Sequence, residues 1–202
     1  MATLYDLKPR FQALLRPLVR RLAALGVTAN QVTVLTLVLS LSCGLLLAWQ
    51  AGRLLWWLVL PPFLLLRMAL NAMDGMLARE HGMAGPLGAM LNELGDVVAD
   101  AALYLPLALV PGVSATAVVL AVLGAVLTEM TGVVAVQIGA SRRYDGPMGK
   151  SDRAFAFGLA ATLLASDAVP RVWISGLLWL VVVLAGVTAF NRARRALREI
   201  GA

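Results

Sequence analysis

Acids and amides recur at helical spacing in two neighbouring apolar stretches of the chain. In the first, Asn71 and Asp74 lie three residues apart; in the second, Asn92, Asp96 and Asp100 follow at intervals of four. Residues three or four apart share one face of an α-helix, so each stretch predicts a polar stripe on an apolar helix. We expect the two stripes to face each other, because a charge in apolar surroundings needs a partner, a cavity or an ion.

The side chains of these stripes suit a hard divalent cation. Carboxylate and amide oxygens are ligands for Mg²⁺, Mn²⁺ or Ca²⁺. Zinc sites use His and Cys, and the chain has only His81 and Cys43 of these types. The pattern therefore indicates a hard-cation site between two helices.

Composition indicates that these helices lie in a membrane. The 202 residues are 60% hydrophobic and only 14% charged, whereas soluble domains have about 25% charged residues. The single Cys43 excludes an intrachain disulfide scaffold. The net charge of +6 is not arranged as a nucleic-acid patch, so we expect membrane lipids and no nucleic acid as partners.

Apolar windows of about 20 residues, the length that crosses a bilayer, recur six times. We predict an all-α polytopic membrane protein with six transmembrane helices near Val32–Gln50, Leu54–Met73, Leu87–Val110, Ser114–Gln137, Phe155–Ala168 and Val172–Phe190. Residues 1–25 have the pattern of an amphipathic helix at the membrane interface. Residues 1–202 are thus predicted to form one membrane-embedded domain, with the bundle in residues 26–202.

The basic residues predict the orientation in the membrane. All 17 Lys and Arg except Arg53 and Arg171 fall on one side of the predicted spans. Because the cytoplasmic side retains basic residues, both termini are predicted to be cytoplasmic. We expect the protein in the cytoplasmic (inner) membrane, with the polar site open to the cytoplasm.

The stretch from Asn71 to Asp96 reads N-A-M-D-G-M-L-A-R, eight residues, then G-A-M-L-N-E-L-G-D. It resembles the signature of the CDP-alcohol phosphotransferase (CDP-alcohol phosphatidyltransferase) family, D-x-x-D-G-x-x-A-R, eight residues, G-x-x-x-D-x-x-x-D. The segment A-N-Q-V-T, from Ala29 to Thr33, is similar to the family's P-N-x-x-T stretch, with Ala29 in place of proline.

The resemblance implies an enzyme that uses two divalent cations to hold a CDP-linked donor while an acceptor hydroxyl displaces CMP. It implies that Asp96 is the catalytic base. The implied metal ligands, for Mg²⁺ or Mn²⁺, are Asn71, Asp74, Asn92 and Asp96. We expect Asp100, which helical spacing places on the same face as Asp96, to join them. The implied nucleotide and pyrophosphate contacts are Asn30, Thr33, Asp74, Gly75, Ala78, Arg79 and Gly88.

Asn71 and Asn92 depart from the signature, because the family has Asp at both positions. The lost charge leaves it open whether one ion or two bind. We expect Asp100, Glu93 or Glu129 to supply the missing charge.

The connection from Ser141 to Arg153 places Arg142, Arg143, Lys150 and Arg153 together. These residues either fix the topology or form a rim that binds the phosphate of the donor or acceptor. Basic residues from Arg192 to Arg198 are assigned to topology and lipid anchoring. Three glycines, Gly124, Gly132 and Gly139, suggest close helix packing and a homodimer.

The leading functional hypothesis is transfer of a phosphatidyl-type group from CDP-diacylglycerol, or a similar CDP-lipid, to an acceptor hydroxyl. A phosphorylated polyol is the preferred acceptor. One alternative is a cation- or proton-coupled transporter, which also needs acids inside the membrane. The other is a non-catalytic relative that has lost a metal through Asn71 and Asn92.

Overall fold

The computed structural model describes residues 4–201, with side chains described from residue 11 onward. This part of the chain is all-helical and has no β-strand. Two short 3-10 helices cover Leu54–Val59 and Leu105–Leu109. The α-helices are α1 (Leu4–Ala24), α2 (Ala29–Trp49), α3 (Leu60–Glu80), α4 (Pro86–Tyr104), α5 (Ala115–Gln137), α6 (Lys150–Ser166) and α7 (Arg171–Glu199).

Helices α2 to α7 fall on the six predicted apolar windows. Within residues 4–201, four helical stretches are long and apolar enough to cross a membrane: Ala29–Trp49, Leu54–Glu80, Ala115–Gln137 and Arg171–Glu199. The sequence of α4 contains three acids, and α6 has only 17 residues. An all-helical fold with several candidate membrane spans is therefore confirmed, and the count of six spans stays a prediction.

The chain divides into two compact units. The first contains Met1–Ser42 and Phe63–Ala99, and the second contains Cys43–Pro62 and Asp100–Ala202. Because the boundaries fall inside α2, α3 and α4, each of these helices contributes residues to both units.

The first unit is held together where α1 packs on α2 and α3. One hydrophobic cluster there consists of the buried residues Val19, Ala29, Val32, Leu70, Met73, Met76 and Leu77. At the surface, Arg16 Nη2 donates to Glu80 Oε1 at 3.0 Å. This hydrogen bond and the charge of the carboxylate raise the pKa of the Arg16 guanidinium. An apolar contact and an ion pair thus both join α1 to α3.

A tight turn and a capping box place the start of α2. Gly26 adopts a φ of +77°, a left-handed conformation that glycine accepts without strain. The backbone N–H of Gln31 donates to Thr28 Oγ1 at 3.2 Å, and that of Thr28 donates to Gln31 Oε1 at 2.9 Å. These reciprocal bonds satisfy donors that a helix start leaves unpaired, so they fix where α2 begins.

In the second unit, glycines let α5 pack closely within the chain. A Cβ atom on Gly124 would lie 2.9 Å from Ala185 Cβ of α7, and one on Gly132 would lie 2.7 Å from the carbonyl oxygen of Arg143. A Cβ on Gly139 would meet nothing within 4 Å. Two of the three glycines singled out in the sequence therefore serve packing inside one chain, and the homodimer stays a prediction.

We predict that Gly124→Ala destabilises the protein by about 1–3 kcal/mol, because the added methyl overpacks the contact with Ala185. Gly186→Ala is the matched control in α7, where a Cβ meets nothing within 4 Å and alanine is the better helix former. Thermal unfolding in detergent should show a lower midpoint for Gly124→Ala only. Equal midpoints for the two variants would contradict the packing described here.

Candidate functional site

The polar stripes of α3 and α4 meet at Asp96. Asn71 Nδ2 donates to Asp96 Oδ1 at 2.9 Å. Arg67 Nη2 donates to the same oxygen at 3.3 Å and to the backbone carbonyl of Asp96 at 3.1 Å. The side chain of Asp96 is 24% exposed, so its carboxylate is held in place but remains within reach of other molecules.

Asp74 is the buried acid of the same unit and is tied to α2. It is only 4% exposed, and its Oδ2 accepts a hydrogen bond from Thr33 Oγ1 at 2.9 Å. The Thr33 hydroxyl also lies 3.1 Å from the carbonyl oxygen of Ala29, one turn earlier in α2. Two predicted site residues from separate motifs, Thr33 and Asp74, are therefore in direct contact.

Two signature glycines make room for polar side chains. A Cβ on Gly75 would lie 2.9 Å from Arg79 Nη2, and a Cβ on Gly88 would lie 2.7 Å from Asn30 Oδ1. Any larger residue would displace the guanidinium of Arg79 or the amide of Asn30. The absence of a side chain at Gly75 and Gly88 thus leaves room for Arg79 and Asn30, two of the predicted nucleotide-binding residues.

The other predicted site residues of the first unit differ in solvent exposure. Ala78, Asn92 and Glu93 are half-buried, whereas Arg79 is exposed at the end of α3. Arg79 is therefore accessible to a soluble phosphate group.

The donor chemistry in the first unit fits a hard divalent cation. In the part of the chain that the structure describes, no group of three or more His, Cys, Asp or Glu side chains could by itself hold a metal ion. A metal site must therefore include other ligands, such as the amide oxygens of Asn71 and Asn92 beside the carboxylates of Asp74 and Asp96. These are all hard oxygen donors, the kind that Mg²⁺ and Mn²⁺ prefer.

A second polar cluster, in the second unit, is centred on Glu129. Arg153 Nη2 lies 2.9 Å from Glu129 Oε1 and 3.2 Å from Asp100 Oδ2. Glu129 Oε2 lies 3.3 Å from Arg142 Nη2 and 3.7 Å from Arg192 Nη1. Three guanidinium groups therefore surround one carboxylate, and both Asp100 and Glu129 have cationic partners.

The loop between α5 and α6 is tied to the end of α7. Arg143 pairs with Glu199, and Glu199 also accepts bonds from the backbone N–H and the hydroxyl of Ser141, each at 3.0 Å. Lys150 is half-buried at the first position of α6. The predicted phosphate rim is thus divided: Arg142 and Arg153 contact Glu129, whereas Arg143 contacts Glu199.

Comparison with known proteins identifies the family. The family model for CDP-alcohol phosphatidyltransferase matches residues 26–190. The chain belongs to the CDP-alcohol phosphatidyltransferase family. The predicted family is therefore confirmed, as is the predicted class of function, a membrane CDP-alcohol phosphotransferase.

The chain is also similar to individual proteins over most of its length. "Inner membrane protein YnbA" of Escherichia coli (strain K12) is 48% identical over 196 residues, 96% of each chain. Phosphatidylinositol phosphate synthase (PgsA1) of Mycobacterium tuberculosis, solved with CDP-DAG bound, has the same fold. Its TM-score is 0.77 at 22% identity, over 92% of this chain and 94% of that one. The same synthase in complex with manganese and citrate gives a TM-score of 0.76 at 22% identity, over 92% and 90% of the two chains.

Two arginines have roles that the sequence analysis missed. Arg192, which was assigned to topology and lipid anchoring, is 2% exposed and donates to the carbonyl oxygens of Tyr144 and Asp145 at 3.3 and 3.1 Å. Lipid anchoring is wrong for Arg192, because its side chain is buried against the loop before α6, whereas its part in the topology stays a prediction. In the sequence, its position four residues after Thr188 places both polar side chains on one helix face, and this spacing was the available signal.

Arg67 lies four residues before Asn71, so helical spacing places it on the same face of α3. The family signature begins at position 71 and does not include it, and helical spacing alone does not show which residue lies opposite. Its burial and its two bonds to Asp96 make it part of the candidate site.

We predict that Thr33→Val weakens Mn²⁺ binding about 10- to 100-fold, the usual cost of removing a hydrogen bond that orients a metal ligand. Thr131→Val is the matched control, because the Thr131 hydroxyl lies beside the carbonyl oxygen of Leu127 one turn earlier in α5, as the Thr33 hydroxyl lies beside that of Ala29 in α2. Titration of purified protein with Mn²⁺, followed by the electron paramagnetic resonance signal of the free ion, measures the affinity. Unchanged affinity in Thr33→Val would show that its bond to Asp74 does not support a metal ligand.

Proposed function

We propose that this chain is a divalent-metal-dependent transferase that moves a phosphatidyl-type group from CDP-diacylglycerol, or a similar CDP-lipid, to an acceptor hydroxyl. The observation that carries the proposal is the contact between the two halves of the signature, Asn71 on α3 and Asp96 on α4. The likeness to a synthase solved with CDP-DAG bound supports the choice of donor.

The reaction forms one bond and breaks one. The acceptor oxygen bonds to the phosphorus that carries the lipid, and the bond from that phosphorus to the oxygen of CMP breaks, so that CMP leaves with the electron pair. The hydroxyl proton passes to the carboxylate of Asp96, the more exposed of the two signature acids. The bonds from Asn71 and Arg67 hold this carboxylate in one orientation, as a general base requires.

The remaining signature residues bind the donor. Arg79, exposed at the end of α3, pairs with a phosphate of the nucleotide, and Gly75 leaves room for its guanidinium. Asp74, Asn71, Asn92 and Asp96 would hold Mg²⁺ or Mn²⁺. A bound cation supplies positive charge that stabilises the pyrophosphate and the departing CMP.

The proposed setting is the cytoplasmic membrane, with both termini and the site on the cytoplasmic side. The relative YnbA is named as an inner membrane protein, and the distribution of basic residues supports the orientation. We propose that α4 and α6 complete six spans, since acids on α4 can face the protein interior instead of lipid.

For the acceptor we propose a polyol phosphate. The cluster around Glu129 contains three arginines and two acids in mutual contact, so it carries an excess positive charge. An acceptor phosphate can share the donors of Arg142, which also lies over the ring of Tyr144 at 5.4 Å. Lys150, the first residue of α6, is the remaining cation of the predicted phosphate rim.

We predict that the purified protein releases CMP from CDP-diacylglycerol in the presence of Mn²⁺ or Mg²⁺ and a hydroxyl acceptor. Asp96→Asn should lower kcat about 10²- to 10⁴-fold, the usual contribution of a general base. Asp167→Asn, in an exposed loop position, is the matched control and should act as wild type. Nucleotide binding without CMP release from any acceptor would favour the non-catalytic alternative.

We predict that sn-glycerol 3-phosphate or inositol 1-phosphate is used in preference to the unphosphorylated polyol. Arg142→Gln should raise KM for the phosphorylated acceptor about 10-fold or more, because a charge-assisted hydrogen bond is lost. Arg194→Gln, an exposed change on α7, should leave KM unchanged. Equal use of glycerol or inositol and their phosphates would show that the cluster does not recognise the acceptor phosphate.

A further inference from the structure

Arg67 is a buried cation fixed on a signature acid. It is 3% exposed near the middle of α3, a position where an unpaired guanidinium would be strongly unfavourable. Two of its hydrogen bonds end on one residue, Asp96, at the backbone carbonyl and at Oδ1. The positive charge of Arg67 therefore lies beside the carboxylate of Asp96, which is also a candidate metal ligand.

Asn71 reinforces this arrangement because it donates where an aspartate would repel. Its Nδ2 lies 2.9 Å from Asp96 Oδ1, the oxygen that also accepts from Arg67. A carboxylate at position 71 would place two negative charges in contact, which is stable only when a cation lies between them. At this contact the amide and the guanidinium already satisfy the Asp96 oxygen.

The net charge of the site agrees with a role for Arg67 as a cation beside Asp96. The family signature has four aspartates, whose charge balances two divalent ions. Asp74, Asp96 and Arg67 together carry a net charge of minus one, which the two positive charges of a single divalent ion already exceed. A second ion would have to bind close to a fixed guanidinium in surroundings of low dielectric, where like charges repel strongly.

We propose that Arg67 replaces a second divalent cation at Asp96, so that this chain binds one ion where the four-aspartate signature provides for two. The single ion would use Asp74 and the oxygens that Asn71, Asn92 and Asp96 can offer. This inference rests on the proposed function, because it assumes that the signature residues bind a cation.

The first test is a count of bound Mn²⁺ on the wild-type chain in detergent or nanodiscs. Titration followed by the electron paramagnetic resonance signal of free Mn²⁺ should give one tightly bound ion per chain, both with and without CMP. The spectrum of the bound Mn²⁺ should show no coupling between two ions. Two ions per chain in either condition, or none in both, would overturn the inference. This count needs no variant and therefore does not depend on how a substitution folds.

The second test restores the missing acids. Asn71→Asp with Asn92→Asp should still bind one Mn²⁺ while Arg67 is present, and adding Arg67→Gln should raise the count to two. Adding Arg194→Gln instead, a matched loss of charge at an exposed position, should leave the count at one. A second ion in the double variant with Arg67 intact, or one ion in the folded triple variant with Arg67→Gln, would contradict the role of Arg67.

Measurement of CMP release on the same preparations separates the two proposals. Release by a wild-type chain that binds two ions would leave the proposed function standing and refute the single-ion inference. One bound ion without release from any CDP-lipid would refute the transferase activity and retain the ion count.

Discussion

Carboxylates within an apolar helical protein need hydrogen-bond donors or cations beside them, since a lone buried charge costs several kcal/mol. In the first unit this requirement is met by neighbouring side chains. Thr33 donates to Asp74, and both Asn71 and Arg67 donate to Asp96. These bonds join α2 to α3 and α3 to α4, so the groups suited to chemistry are also the groups that fix the helices against one another.

The same requirement organises the second unit, with arginine as the main partner. Arg153 is 1% exposed and contacts both Asp100 and Glu129, while Arg192 ties α7 to the loop before α6. Removing one member of such a cluster leaves the others buried and uncompensated, which typically costs about 3–5 kcal/mol. Arginine suits this role because it remains charged when buried and presents several donors in one plane.

The sequence was informative about everything that depends on local periodicity. Hydropathy located α2 to α7 because each helix must present apolar side chains over most of its length. Helical spacing placed Asn71 and Asp74 on one stripe and Asn92 and Asp96 on another. The family signature then predicted candidate site residues on both helices, because its spacing reflects two helices and the turn between them.

Long-range partners were not predictable in this way. Periodicity shows which face a residue occupies, but it does not show which residue lies opposite. A long side chain such as Arg192, near the end of a helix, can turn inward or toward lipid headgroups, and the sequence alone favours the second. Glu129 was likewise expected to compensate a metal site, whereas its nearest cations are the arginines of its own unit.

The asparagines of the signature show why a motif should be analysed as a hydrogen-bonding pattern as well as a charge pattern. Exchange of Asp for Asn keeps the shape and one oxygen of the side chain, but it removes a charge and adds a donor. At position 71 that donor is used on Asp96, and Arg67, one turn earlier, adds the cation that the pair would otherwise lack. The amide therefore contributes a bond that an ionised aspartate could not make, and the altered signature retains a connected site on α3 and α4.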